Sequence, residues 1–234
     1  MRAAILAGGR GTRMEAIYPD LPKPMIPIAG KPLLEYHIKT LSLQGIEQIA
    51  LIIGYKADVI RNYFGDGSAF GVHIDYIVEK EPLGTGGALV LLPREDTLLL
   101  FGDVYFDVNL ERFINFHKEK GAAITLFAHP NSHPHDSDII IIDADEKVLD
   151  WKSKNDKQRG DLPNLVNAGL YILSGDSLPA GEAVKRDLEL DLILPLLKKG
   201  KVFAYRSAEY VKDMGTPERL ASVERDVQNK EKLS

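Results

Sequence analysis

A glycine-rich loop flanked by basic residues follows the first predicted strand. It reads LAGGRGTR, and its three glycines let the backbone turn with its N–H groups pointing inward. Arg10 and Arg13 add positive charge beside the loop. Inward amides and cations can bind a bulky anion, so this loop is predicted to bind phosphate. The alternative is an ordinary glycine-rich turn with solvated arginines.

A third cation stands close by in LPKPMIPIAG, where prolines on both sides of Lys23 stiffen the backbone. That rigidity indicates that the ammonium group of Lys23 is held at one position, as binding a specific anion would require. Two better-known phosphate loops do not match. A dinucleotide fingerprint requires Gly where Met14 stands, and a P-loop requires Gly-Lys-Ser/Thr after its four-residue spacer.

Two aspartates follow short predicted strands further along the chain. Asp103 ends the apolar run LLLFGD, and Gly102 lets a ligand approach the backbone there. The carboxyl ends of parallel strands are where such sheets bind ligands. Asp213 closes another short strand. Both are candidate site residues; a turn aspartate and a helix-capping aspartate are the structural alternatives.

Strand-like and helical patterns alternate through the first half of the chain, as in a parallel sheet covered by helices on both faces. In the second half, DIIIIDADEKVLDWKSK predicts an antiparallel hairpin. DLELDLILPLLKKG predicts a helix interrupted near Pro195. The expected fold is α/β, a Rossmann-like three-layer sandwich with a mostly parallel central sheet and antiparallel additions in its second half. Residues 1–234 are expected to form one domain.

Composition limits the partners. With 29 Lys+Arg against 34 Asp+Glu, the formal charge is −5, so neither nucleic acid nor an anionic membrane is an expected partner. The absence of cysteine excludes disulfides, a thiolate nucleophile and a cysteine-ligated metal. Apolar runs are too short for a signal peptide or a membrane span. A cytoplasmic enzyme is the expectation.

Six motifs, in order, resemble those of sugar-1-phosphate nucleotidylyltransferases, which join a nucleoside triphosphate to a sugar phosphate and release pyrophosphate. They are LAGGRGTRM, LPKPMIPIAGKPLLEY, EKEPLGTGGAL, LLLFGDVYFD, VNAGLYIL and VKDMGTPERL. The resemblance implies a fold of the nucleotide-diphospho-sugar transferase type. It also assigns residues 1–121 mainly to the nucleotide and residues 122–234 mainly to the sugar phosphate.

The resemblance further implies site residues and Mg²⁺ as cofactor. The catalytic residues would be Arg13, Lys23, Asp103 and Asp213, with the two aspartates as metal ligands. The nucleotide would contact Leu6, Ala7, Gly8, Gly9, Gly11, Thr12, Arg13, Glu79, Pro82, Gly84, Thr85 and Gly102. The sugar phosphate would contact Lys152, Lys154, Asn167 and Gly169.

One stretch departs from the family pattern. The family's Glu-Lys-Pro motif reads Ser153, Lys154 and Asn155 here, so only the lysine matches, and Lys152 is a second candidate for the sugar's phosphate.

Glu79 stands where thymidylyl and uridylyl members often carry Gln. Its carboxylate can accept from both N1–H and the 2-amino group of guanine, whereas the carbonyls of uracil or thymine would repel it. This favours GTP as the donor and leaves CTP open.

The stretch HPNSHPHDSD (residues 129–138) is predicted to be a loop over the sugar pocket, with a metal site as the weaker alternative. Together with WKSK and VKDMGTPERL, it is most like the D-glycero-D-manno-heptose 1-phosphate guanylyltransferase branch.

Other functions stay open at this stage. Within the family they are a mannose-1-phosphate guanylyltransferase and a cytidylyl, uridylyl or thymidylyl relative. Outside it stands a non-catalytic regulatory homologue that binds sugar nucleotides. A dinucleotide-dependent oxidoreductase is disfavoured because Met14 breaks its glycine pattern. The sequence does not decide between a monomer and a homodimer.

Overall fold

The computed structural model describes residues 1–11, 14, 17–131, 136–155 and 162–231. It divides into two compact units, each assembled from several segments. The first unit comprises Met1–Pro82, Leu100–Asp107 and the chain from Val211 onward, and the second comprises Leu83–Leu99 and Val108–Tyr210. The single-domain organisation stays a prediction.

The first unit contains a parallel sheet. Its strands and helices are β1 (Arg2–Leu6), β2 (Pro27–Ile28), β3 (Lys31–Pro32), α1 (Leu33–Leu43), β4 (Gln48–Ile53), α2 (Ala57–Phe64), β5 (His73–Val78), β7 (Val104–Asp107), β13 (Tyr210–Asp213) and α5 (Pro217–Glu231). The first residue of β13, Tyr210, is the last residue of the second unit. In the parallel sheet, β1 and β4 are mainly buried and apolar, whereas β5 is largely exposed. β4 pairs in parallel with both β1 and β5. β7 and β13 form a separate two-stranded sheet, which brings together two segments that are more than a hundred residues apart.

The second unit is largely antiparallel. It contains α3 (Leu110–Lys120), β8 (Ile124–His129), β9 (Ile139–Ile142), β10 (Val148–Lys152), β11 (Val166–Leu173), α4 (Leu194–Lys198) and β12 (Val202–Arg206). β9 and β10 form the predicted hairpin, and β11 pairs antiparallel with β8 and β9. β6 (Thr97–Phe101) begins in this unit and ends in the first.

The aromatic core of the second unit lies where α3 covers β8 and β12. Phe113, Phe127 and Tyr205 meet there with ring centroids 5.5 Å apart in each pair. α3 ends at Gly121, which adopts the left-handed conformation that glycine takes readily at helix ends. The predicted α/β class, mostly parallel with antiparallel additions in the second half, is confirmed.

The interrupted helix differs in detail from its prediction. A π-helical turn, Glu189–Ile193, precedes α4, and the N–H of Leu194 donates to the carbonyl of Glu189. The irregularity thus lies before Pro195, which stands in the first turn of α4. Within the described ranges, no helix is long and apolar enough to cross a membrane.

Candidate active site

Lys23 and Asp103 form a close ion pair in the first unit. Lys23 starts a short 3-10 turn that contains Pro24, and its Nζ donates to Asp103 Oδ2 at 2.6 Å. Asp103 lies in the turn between β6 and β7. The lysine side chain is only 15% exposed and that of the aspartate 39%, so the pair is partly shielded from water.

Asp213 joins this pair through the β7–β13 sheet. The N–H of Met214 donates to the backbone carbonyl of Asp103 at 2.9 Å, so the two aspartates occupy neighbouring backbone positions. Burial by itself would raise the pKa of Asp213. Hydrogen bonds from Arg219 and Gly215, with the charges of Arg219 and Lys23, lower that pKa overall. The structure therefore brings three of the four predicted catalytic residues together. The fourth, Arg13, lies outside the described residues, as does Thr12.

Among the described residues, Arg219 makes the shortest contacts with Asp213, and sequence reasoning missed it. Its Nη1 lies 2.8 Å from Asp213 Oδ1 and 2.8 Å from Oδ2. Gly215 N–H also donates to Oδ1, at 2.9 Å. Arg219 belongs to the VKDMGTPERL motif, but its spacing from Asp213 gives no signal, because the contact depends on how β13 turns into α5.

The glycine-rich loop packs tightly against this group. Gly11 has φ +65°, and a Cβ there would lie 2.7 Å from the Cβ of Lys23. A Cβ at Gly102 would lie 2.7 Å from the carbonyl oxygen of Leu6 and 3.2 Å from Pro24 Cγ. These glycines bring the loop, the lysine turn and the Asp103 turn within van der Waals distance of one another.

Glu79, predicted to recognise the base, has its carboxylate next to the glycine-rich loop. Its N–H donates to the carbonyl of Ile53 at 2.8 Å, directly after β5. A Cβ at Gly8 would lie 2.7 Å from Glu79 Oε2, so the carboxylate is close to the loop backbone. Further along the same loop, the guanidinium of Arg10 lies over the ring of Tyr55, 5.0 Å from its centroid.

His37 is a second residue that sequence reasoning missed. It is fully buried in α1, and its Nε2 lies 2.6 Å from the carbonyl oxygen of Val104, immediately after Asp103. Burial lowers the pKa of His37 to about 4, against the opposing influence of Val104 and Asp103. The ring is therefore neutral at pH 7, donates from Nε2 and fixes the start of β7.

Residues of the predicted base-binding motif in the second unit are held by backbone contacts. A Cβ at Gly84 would lie 2.4 Å from the carbonyl oxygen of Arg186. Thr85 Oγ1 accepts from Leu188 N–H at 2.8 Å. These contacts account for a glycine at position 84 and a threonine at position 85 through packing alone. Nucleotide contact by Pro82, Gly84 and Thr85 stays a prediction.

The predicted sugar-phosphate residues converge on Asp138. Its Oδ1 accepts from the backbone N–H of Lys154 at 2.8 Å, and its carbonyl accepts from that of Asn167 at 3.0 Å. Asn167 Oδ1 also accepts from Gly169 N–H at 3.3 Å. The ammonium of Lys152 forms an ion pair with a different aspartate, its Nζ lying 2.7 Å from Asp150 Oδ2.

Glu189 belongs to the same cluster and was also missed. Burial, together with the charges of Asp138 and Asp187, raises the pKa of Glu189 to about 7, although Lys154 and Trp151 act in the other direction. The indole N–H of Trp151 is buried and does not meet hydrogen-bond geometry with any described residue, yet it is close enough to Glu189 to affect that pKa. Glu189 and Trp151 are 38 positions apart, so no local pattern could indicate the contact.

The two predicted metal sites involve different residues, the histidines of residues 129–138 and the pair Asp103 and Asp213. His133 and His135 lie outside the described residues, and among those described no group of three or more His, Asp or Glu side chains could hold a metal. Asp103 and Asp213 instead offer two carboxylates on neighbouring backbone positions. Mg²⁺ binds through one or two carboxylates and completes its octahedron with water and phosphate, so these donors suit Mg²⁺ chemically, and metal binding here stays a prediction.

The chain belongs to the nucleotidyl transferase family, whose model, described as "Nucleotidyl transferase", matches residues 2–230. This confirms the resemblance seen in the six motifs.

Three relatives illustrate the relationship. A D-glycero-alpha-D-manno-heptose 1-phosphate guanylyltransferase of Campylobacter jejuni is 34% identical over 93% of this chain and 96% of its own length. Its counterpart in Aneurinibacillus thermoaerophilus is 32% identical over 98% and 99%. A mannose-1-phosphate guanylyltransferase of Mycobacterium tuberculosis is 35% identical over 92% of this chain, which spans only 61% of that protein.

Solved structures agree on the fold. HddC from Yersinia pseudotuberculosis matches with a TM-score of 0.83 at 29% identity, covering 97% of this chain and 99% of that one. A putative glucose-1-phosphate thymidylyltransferase of Bacillus anthracis shares the fold, with a TM-score of 0.82 at 21% identity over 97% of this chain and 96% of its own.

Proposed function

We propose that the protein transfers a guanylyl group from GTP to a sugar 1-phosphate, with D-glycero-D-manno-heptose 1-phosphate as the sugar substrate, and releases pyrophosphate. The observation that carries this proposal is the group formed by Lys23, Asp103 and Asp213 against the glycine-rich loop. A cytoplasmic location stays a prediction, and the sequence leaves monomer and homodimer open.

The chemistry needs two negatively charged substrates to meet. A phosphate oxygen of the sugar 1-phosphate attacks the α-phosphorus; the new P–O bond forms as the bond from the α-phosphorus to the bridging oxygen breaks, and pyrophosphate leaves with that oxygen. No covalent enzyme intermediate is required. The protein's contribution is alignment, worth about 7–11 kcal/mol in favourable cases, and stabilisation of charge.

Lys23 is suited to the second task. Its turn is stiffened by proline and its Nζ already points at Asp103, so the ammonium is held in place before substrate arrives. A preorganised cation stabilises charge developing on the α-phosphate without reorganisation during the reaction. Asp103 and Asp213 would hold Mg²⁺, which when bound neutralises phosphate charge.

The preference for GTP rests on Glu79. Its carboxylate lies at the loop, close to Gly8, where it could accept from N1–H and the 2-amino group of guanine. The three relatives described above are guanylyltransferases, and a second HddC structure is described as complexed with GMP-PN. Cytosine also offers an amino group, so CTP is the competing donor to test.

The choice of heptose is supported by two relatives and by the second unit. The two heptose enzymes are 34% and 32% identical to this chain. Asn167, Lys154 and Glu189 supply polar groups around Asp138 that could contact sugar hydroxyls and phosphate. Mannose 1-phosphate is the second candidate, because the mannose enzyme has the highest identity of the three, 35%.

A pyrophosphate-release assay with GTP, CTP, UTP and dTTP against heptose, mannose and glucose 1-phosphates tests the proposal. GTP with D-glycero-D-manno-heptose 1-phosphate should give the highest kcat/KM, and Asp103→Asn should abolish release. Faster release with mannose 1-phosphate would replace the sugar assignment. Tight GTP binding without release for any sugar would favour the non-catalytic homologue.

A further inference from the structure

We propose that Arg219 selects the ion bound at Asp213: it confines this carboxylate to coordination through one oxygen and so favours Mg²⁺ over Ca²⁺. The inference rests on the metal role of Asp103 and Asp213 in the proposed function, and it assigns a specificity role to a residue outside the predicted site.

The position of the guanidinium is the first argument. Arg219 Nη1 is equidistant from the two Asp213 oxygens, at 2.8 Å from each. A cation that is equally distant from both oxygens of a carboxylate occupies the place where a bidentate metal ion would sit. Arg219 therefore blocks two-oxygen coordination by Asp213 for as long as it remains there.

The acceptor capacity of the carboxylate gives the same result. An ionised carboxylate has about four acceptor positions, two on each oxygen. Oδ1 already accepts from Arg219 Nη1 and from Gly215 N–H, whereas Oδ2 accepts from Arg219 alone among the described contacts. Oδ2 is thus the oxygen with capacity for a metal ion, and it can offer one bond.

Arg219 is placed to stay in this position when an ion arrives. It lies in the first turn of α5, its backbone N–H donates to Thr216 Oγ1 at 3.4 Å, and its side chain is only 17% exposed.

The two candidate ions differ in how they use a carboxylate. Mg²⁺ requires near-octahedral geometry at about 2.0–2.1 Å and keeps several waters. Ca²⁺ takes about six to eight oxygens at longer distances and often fills its sphere with bidentate carboxylates. A carboxylate restricted to one oxygen therefore costs Ca²⁺ a ligand that Mg²⁺ does not need.

The test measures ion affinity directly, without turnover. Mn²⁺ binding to the full chain is followed by electron paramagnetic resonance, and MgCl₂ and CaCl₂ are titrated as competitors for wild type, Arg219→Lys and Arg219→Gln. Asp103→Asn is the control that locates the ion, because it should lose most Mn²⁺ binding. The quantity compared is the ratio of the Ca²⁺ to the Mg²⁺ dissociation constant, since a general change in charge or rigidity affects both ions alike.

Wild type should prefer Mg²⁺, and Arg219→Gln should reduce the ratio by about threefold or more because Ca²⁺ gains the second oxygen. Arg219→Lys keeps a single cationic nitrogen with several donors, as Nη1 is here, so it should leave the ratio within about twofold of wild type. An unchanged ratio in Arg219→Gln overturns the inference. That result would not bear on the proposed function, which the pyrophosphate-release assay tests separately. Absence of Mn²⁺ binding in wild type overturns this inference and the metal assignment together.

Discussion

Gly102→Ala tests whether the turn that carries Asp103 must lie directly on the first strand. Gly102 N–H donates to the carbonyl of Leu6 at 3.0 Å, and an added Cβ would lie 2.7 Å from that same oxygen. Real Cβ atoms essentially never come within 3.0 Å of another heavy atom, so the two segments must separate by at least about 0.3 Å. The same Cβ would lie 3.2 Å from Pro24 Cγ, so the Asp103 turn cannot relieve the clash by moving toward the turn that carries Lys23.

The size of the effect follows from this geometry. Forcing an extra methyl into a packed region costs about 1–3 kcal/mol. For a chain of this length, each kcal/mol lowers Tm by about 2–4 °C, so Gly102→Ala should melt about 2–12 °C below wild type. Because a displacement of about 1 Å can cost about 100-fold in rate, a shift of about 0.3 Å at Asp103 should lower kcat by about fourfold.

Thermal denaturation followed by circular dichroism, combined with pyrophosphate-release kinetics well below Tm, separates the two effects. Gly9→Ala serves as the stability control, since a Cβ at Gly9 meets nothing within 4 Å and its Tm should stay within about 2 °C of wild type. If Gly102→Ala retains kcat within about twofold of wild type, the close contact between the turn and the strand is not needed for catalysis, and the reasoning fails.

Three further perturbations address other parts of the site. Lys23→Met should lower kcat by about 100- to 1,000-fold in the pyrophosphate assay because a preorganised cation is lost, and an unchanged kcat would remove Lys23 from the catalytic group. Glu79→Gln should lower the GTP-to-UTP ratio of kcat/KM by about tenfold, whereas the exposed neighbour Glu81→Gln should not; equal ratios would contradict base recognition by Glu79. Because the pKa of Glu189 is raised from 4.5 to about 7, the folded protein binds this proton more tightly than the unfolded chain, so the stability it contributes is lost as pH rises from about 4.5 to about 7. Tm of wild type relative to Glu189→Gln should fall across that window, and parallel Tm curves would contradict it.

The sequence predicted the elements that position the site better than it predicted the contacts within it. Lys23 and Asp103 could be found because prolines, glycines and strand ends have local signatures, and the structure places them 2.6 Å apart. His37 could not be distinguished from any other residue on the buried face of an amphipathic helix. Its contact with the carbonyl of Val104 depends on where β7 packs.

The same limit applies to Arg219 and Glu189. Arg219 reaches Asp213 because the chain reverses between β13 and α5, and a motif read along the sequence does not specify that reversal. Glu189 meets Trp151 through the packing of a π-helical turn in the second unit. The π-helical turn itself was predicted only as an interruption near Pro195, since proline indicates where a helix is disturbed but not which hydrogen-bond pattern replaces it.

The most direct measurement follows the α-phosphate itself. GTP radiolabelled at the α-phosphorus is incubated with D-glycero-D-manno-heptose 1-phosphate and Mg²⁺, and the products are separated by anion-exchange chromatography. Wild type should move the label into a nucleotide sugar and release unlabelled pyrophosphate, while Asp103→Asn should leave the label in GTP. Label that stays in GTP with wild type for every sugar 1-phosphate, or label transfer by Asp103→Asn at the wild-type rate, would contradict the account.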